Sequence, residues 1–264
     1  MLLFYIEVAR TAFRRQLIYR WANIAGLLTN IFFAAIFSYL ILALYHVRPS
    51  ANGYNVHDTL RYTWLIQSMI MIVLPFGWFS VMLSIRSGDV ISDLCKPCDY
   101  YWYWFSSELG RTCYYVLFRG IPTYLAGMML FGIGVPTNWH VWVVYILILP
   151  LSAMLGIAYR YFYNVIAFWI TEARAVGVLA GTIALFLTGS FVPLPFFPAW
   201  ARAIIVWLPF NGLMNFPAEI FLNKLNSPEI WLDSGRLVFW LVVFTLFVRW
   251  ITTIATRRVI VQGG

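Results

Sequence analysis

Apolar residues along this chain gather in runs of about 20 with almost no charge, and about 20 helical residues are what it takes to cross a hydrocarbon core of about 30 Å. Six such runs can be read, over residues 21–45, 62–85, a third ending near 135, 139–170, 175–192 and 232–254. Polar punctuation separates them. Asn52-Gly53 is a turn signal, 86–99 is the most polar stretch between runs, Pro136-Thr137-Asn138 makes a short turn, and Thr171-Glu172-Ala173-Arg174 closes a hairpin. Pro75 and Gly77 are placed to kink the second run, which a membrane helix tolerates when neighbours satisfy the freed carbonyl. The pattern predicts an all-α polytopic membrane protein with six transmembrane helices in a single domain over 1–264.

Two segments depart from the spanning pattern. In residues 1–20, Glu7, Arg10, Thr11, Arg14 and Arg15 share one side of a helical wheel and Leu2, Ile6, Ala9, Phe13 and Leu17 the other, the signature of an amphipathic helix lying in the membrane surface. Across 193–225, Pro193, Pro195, Pro198, Pro209 and Pro217 break an apolar stretch that cannot be one helix. Its piece 199–208 has the length of a re-entrant or interfacial helix, and two short helices dipping into the membrane are expected.

Composition agrees with the pattern: 62% hydrophobic, 19% aromatic and 11% charged residues leave no means of building a water-soluble shell. The net charge of +8 is spread beside the apolar runs and forms no single patch, so it reports topology and lipid contact and gives no ground for nucleic-acid binding. Of the 18 Lys and Arg residues, Arg48, Arg61, Arg202, Lys224 and Arg236 fall on one side of the six-run arrangement and all others on the opposite side. Basic residues collect on the cytoplasmic face, which puts both termini in the cytoplasm of a multi-pass protein. Tyr100, Tyr101, Trp102, Tyr103, Trp104 and Phe105 are of the type found at headgroup level.

Little in the chain supports catalysis. Its two lysines, Lys96 and Lys224, do not sit in G-x-x-x-x-G-K-[ST], so the phosphate-cradling loop is absent. Cys95-Lys96-Pro97-Cys98 is a CxxC without the βαβ setting of a redox motif, and His46, His57 and His140 are expected on the far side of the membrane, leaving no metal site. A polytopic enzyme acting on lipids would need acid, base or metal ligands at one interface, and Asp89, Asp93, Asp99 and Glu108 cluster there without a histidine. An ion-coupled transporter or channel would need paired carboxylates inside the runs. Both stand as alternatives to a permease. Glu108 and Arg111, three apart, are expected to pair, while Arg119, Arg160 and Arg249 are read as snorkelling to the cytoplasmic edge.

Between the second and third runs, Ser87 is placed to cap a short helix with Val90, Ile91 and Leu94 on one face and Asp89 and Asp93 on another, stopped by Lys96-Pro97. Such a helix suits docking into a groove of a soluble partner, and equally describes an ordinary interfacial loop.

The stretches ARTAFRRQLIYRWANIAGLLTN, IRSGDVISDLCKPCDYYWYWF, GSFVPLPFFPAWARAIIVWLPFNGLMNFPAEIF and RRVIVQGG together resemble the permease subunits of ABC-2 type exporters, over nearly the whole chain but without one diagnostic motif. The resemblance implies that Arg14 and its neighbours Glu7, Arg10 and Arg15 form a connector helix. It implies that Ser87, Gly88, Asp89, Val90, Ile91, Asp93 and Leu94 form a coupling helix, and that Pro193, Pro195, Pro198 and Pro209 mark an extracellular gate. It further implies no cofactor on this chain, with ATP and Mg on a separate ABC ATPase present in two copies, beside a second permease, the same or homologous, among membrane lipids.

Overall fold

The computed structural model describes residues 1–47, 53–73, 78–170 and 173–257. The expected turn residue Asn52, the kink at Pro75 and Gly77, the hairpin residues Thr171 and Glu172, and Arg258 lie outside the described residues. Among the described residues the protein is helical, with no strand. The amphipathic start is α1 (Leu2–Ile18), and one residue, Tyr19, separates it from α2 (Arg20–Val47). The second run is divided between α3 (Val56–Val73) and α4 (Ser80–Ser87), and the polar stretch after it carries the short α5 (Val90–Leu94). A continuous helical path then runs through α6 (Tyr100–Tyr115), a π turn (Val116–Gly120) and α7 (Ile121–Phe131). Next come α8 (Trp139–Val165), α9 (Ala173–Leu187), α10 (Ala199–Ile205), a second π turn (Asn211–Asn215), α11 (Phe216–Phe221) and α12 (Ser227–Thr256).

Among the described residues three helices are long and apolar enough to cross a membrane: Arg20–Val47, Trp139–Phe168 and Ser227–Thr256. The other apolar runs fall on shorter helices. Local chemistry accounts for several boundaries. The Asp99 carboxylate accepts the Trp102 amide at 3.0 Å and so starts α6 at Tyr100, inside the aromatic cluster. A capping box between Asn226 and Glu229 starts α12 at Ser227, ahead of the expected 232. Both π turns end two residues before a proline, Pro122 and Pro217. A proline ring lacks the amide that the preceding turn would use, and a widened turn is one way a helix continues through it.

The helix α8 lies at the centre, packed against α12, α11, α9 and α3. Its closest approach to α3 is at Gly156, where a methyl group would stand 2.2 Å from the Val73 carbonyl oxygen. One buried cluster gathers Tyr62, Trp64, Leu155 and Phe216, and a second gathers Val81, Val90, Tyr101, Tyr161 and Val248. Hydroxyl and indole groups tie the helices across these clusters. The Trp64 indole donates to Ser38 at 2.9 Å, Ser152 donates to the Gly212 carbonyl at 2.7 Å, and Tyr159 donates to the Ala180 carbonyl at 2.8 Å. The apolar windows of α2 and α12 are only 17% buried, so Leu28, Phe32, Phe239 and Leu246 face lipid or another chain.

Candidate functional site

An open cleft of about 1090 Å³ brings together two segments some eighty positions apart in the chain. Glu7, Thr11 and Arg15 of α1 line one wall, Leu83, Arg86 and Ser87 of α4 with Asp89 and Asp93 line another, and Glu108 and Arg111 of α6 form the floor. The strap α1 is held against α6 by close backbone contact: a methyl group on Gly110 would stand 1.9 Å from the Ala9 carbonyl oxygen, and the Phe13 and Tyr114 rings meet edge-on at 5.7 Å. Of the expected apolar face of α1, Ala9 and Phe13 pack on the protein, whereas Leu2, Ile6 and Leu17 point outward. Arg10 pairs with Glu7 at 3.3 Å on the exposed side, and Arg14 is exposed.

Two features of the 86–99 segment differ from the sequence reading. Ser87 does not cap α5: it is the last residue of α4, its hydroxyl donates to Asp89 at 2.6 Å, and Gly88 follows in the left-handed conformation at φ 84°. The residue at the start of α5 is Asp89. Val90, expected on a docking face, is buried at 4% exposure beside Tyr100 and Tyr101, because an apolar side chain this close to the bundle gains more from the core than from water. Leu94 packs against the same cluster, and Ile91 is the apolar residue of α5 left exposed. Asp93 is also committed within the chain, accepting from Lys96 at 2.7 Å and from Ser84 at 2.9 Å. Asp89 remains at the surface. Cys95 and Cys98 are free thiols, and burial raises the Cys98 thiol above its usual range, which disfavours the thiolate a redox motif needs. The aromatic cluster splits: Tyr100, Tyr101 and Phe105 turn into the protein, and Trp102, Tyr103 and Trp104 are half-buried.

The floor of the cleft is ionic. Arg111 donates to Glu108 at 2.5 Å, the expected pair, but the same carboxylate oxygen also receives Arg160 of α8 at 3.4 Å. Arg160 does not snorkel. It is fully buried, and its other guanidinium nitrogen donates to the Val73 carbonyl. Arg119 does not snorkel either. The π turn directs it inward to 6% exposure against Gly26 and Asn30 of α2, with the Tyr115 ring centroid 5.6 Å away. Withdrawing a cation from water costs several kcal/mol. A contact with an aromatic face returns about 0.5–2 kcal/mol, so Tyr115 does not offset it. Arg249 stays near the edge as expected, pairing with Asp99 at 3.2 Å. Neither the Glu108–Arg160 pair nor the burial of Arg119 is signalled by sequence spacing, although Pro122 marks where the helix carrying Arg119 must widen.

The proline-rich segment lies away from the cleft, by the far end of α3. Pro193 and Pro195 flank a short turn at Leu194–Phe196, Pro198 precedes α10, and Pro209 precedes the second π turn. The segment is pinned by Tyr62, whose hydroxyl lies 3.2 Å from the Gly189 carbonyl and 3.1 Å from the Asn215 side-chain oxygen, and by Lys224, which pairs with Asp58 at 2.6 Å. No continuous helix passes through 199–216.

A sequence profile described as ABC-2 family transporter protein matches residues 29–261. The chain belongs to the ABC-2 transporter family. Among curated proteins and among solved structures nothing matches. The matched region of the ABC-2 protein runs from within α2 through α12 and takes in both the 86–99 segment and the proline-rich segment, while α1 precedes it. The protein is therefore a membrane transport component of a family whose permeases work with an ABC ATPase partner.

Proposed function

We propose that this ABC-2 protein is the permease of an ATP-driven exporter, with six spans, both termini in the cytoplasm and a separate ATPase docked over the cleft. The observation that carries the reading is the meeting of α1 with the 86–99 segment in one open hollow, with Leu83 at 60% and Ile91 at 40% exposure beside it and Asp89 exposed at the surface. An apolar pair rimmed by charge is the pattern of a protein-docking patch. The open flanks of α2 and α12 supply area for a second permease, the same or homologous, and each permease carries one ATPase, on which ATP and Mg bind. The connector role falls to α1 with Glu7, Arg10, Arg14 and Arg15, the coupling role to 87–94, and the outer gate to Pro193, Pro195, Pro198 and Pro209, in a bacterial inner membrane.

The docking surface proposed here is Ile91, Leu83 and Asp89, in place of Val90 and Leu94. The test is copurification with a coexpressed ABC ATPase partner, using Ile91→Asp and Leu83→Asp at matched expression. A carboxylate placed in a desolvated contact at a hot spot costs at least about 2 kcal/mol, so the complex weakens by at least about 30-fold. Undiminished complex and unchanged transport-coupled ATP hydrolysis in both variants overturn the assignment.

A further inference from the structure

Arg119 is the buried cation that the coupling argument leaves unused. A guanidinium carries five N–H donors and no acceptor. Among the described residues it makes one hydrogen bond, to the Asn30 side-chain oxygen at 3.4 Å, beyond the usual N–H to O range, and its Nε has no partner there. Among the described residues no carboxylate pairs with it. The Asn30 amide is itself spoken for, donating to the Gln67 carbonyl at 3.4 Å. Three separate features maintain this arrangement. The π turn rotates Arg119 toward α2, and such widened turns often mark functional positions. Gly26 opposite is a notch fitted to the guanidinium, since a methyl group there would stand 2.4 Å from Nη2. Packing around the residue closes it off from bulk water. Gly26 and Asn30 stand six and ten positions after Arg20, about 9 to 15 Å along α2, on the cleft side of the membrane.

We propose that Arg119 seats the phosphate of a membrane amphiphile, a phospholipid headgroup drawn between α2 and the π turn. The planar fork of an arginine matches two phosphate oxygens at once, and a bound phosphate supplies the missing counter-charge and the missing acceptors together. Exposed Ile24 and Leu28 of α2 and exposed Leu117, Phe118 and Ile121 of the facing helix offer an apolar surface for acyl chains beside it, which favours a lipid over a soluble anion as the source. The inference does not depend on the docked ATPase.

The full-length protein, purified in mild detergent and stripped of lipid, is titrated with dioleoylphosphatidylglycerol, with dioleoylglycerol, and with inorganic phosphate, and read by native mass spectrometry. Wild type is expected to hold one phosphatidylglycerol at least about tenfold more tightly than Arg119→Gln, equivalent to about 1.4 kcal/mol, with Arg119→Lys in between and dioleoylglycerol bound weakly by all. Thermal unfolding establishes that the variants are folded. If Arg119→Gln does not purify folded, Gly26→Ala serves, because its methyl group displaces the guanidinium and is expected to weaken lipid retention likewise. Competition by millimolar phosphate supports the seat, and phosphate bound without retention of the lipid supports it with a soluble anion as the source. Equal retention of phosphatidylglycerol by wild type and the variant, or of dioleoylglycerol and phosphatidylglycerol by wild type, overturns the proposal.

Discussion

Replacing Glu108 by glutamine isolates the ionic floor of the cleft. Its side chain is 5% exposed, that of Arg160 is fully buried and that of Arg111 is 17% exposed, so the single carboxylate neutralises one of two closely spaced guanidiniums. Glu108→Gln leaves both cations facing each other with no counter-charge. Removing one partner of a buried pair costs about 3–5 kcal/mol, and the larger end applies where the remaining groups repel. Arg160→Met is the milder change. Glu108 keeps Arg111 at 2.5 Å, and the loss is the hydrogen bond to the Val73 carbonyl with the longer contact to Glu108 at 3.4 Å, about 1–3 kcal/mol, offset in part by the apolar side chain and by the removal of a cation beside Arg111. The double variant returns to one cation, Arg111, which reaches the water of the cleft, so its destabilisation falls short of the sum of the single changes by at least about 1 kcal/mol. Unfolding free energies measured in mixed micelles by circular dichroism for the four proteins complete the cycle. The reasoning fails if Arg160→Met is the more damaging single change, or if the two effects simply add.

Three further outcomes follow from the same geometry. Gly110→Ala pushes a methyl group against the Ala9 carbonyl and should loosen α1 at a cost of about 1–3 kcal/mol, seen as faster tryptic cleavage at Arg10, Arg14 and Arg15; an unchanged cleavage rate removes the close contact from consideration. In a background lacking native cysteines, Thr137→Cys should react with an impermeant maleimide from outside intact cells and a restored Cys95 should not, and the reverse pattern inverts the topology. The purified chain should turn over no ATP, because Lys96 is engaged by Asp93 and Lys224 by Asp58, neither near a phosphate loop; turnover free of a copurifying ATPase would refute this.

Much of the architecture was readable because membrane helices announce themselves by composition. The apolar runs located α2, α8 and α12, and the prolines after residue 192 predicted short helical pieces. Side-chain destinations were less legible. Helical spacing puts Val90, Ile91 and Leu94 on one face, whereas Val90 and Leu94 turn into the bundle and Ile91 stays exposed; which edge of a five-residue helix turns inward depends on Tyr100 and Tyr101 arriving from the next helix. Arg160 meets Glu108 across 52 positions, a distance no local pattern spans. On a regular helix, the distance of Arg119 along it predicts a side chain reaching back toward the headgroups. The π turn before Pro122 alters the angle at which it leaves, and Gly26 on another helix provides the room.

A single residue, Tyr19 at φ −88° and ψ 34°, joins the strap α1 to the long helix α2. An elbow that short has almost no slack: it can bend, but it cannot absorb a sideways push on one arm without passing most of it to the other. The strap is clamped at Gly110, so force applied near its charged edge has a fulcrum as well as a lever. Anything that tips α1 on α6 must swing the foot of α2, the helix carrying Gly26 and Asn30, and thereby open or pinch the gap in which Arg119 lies.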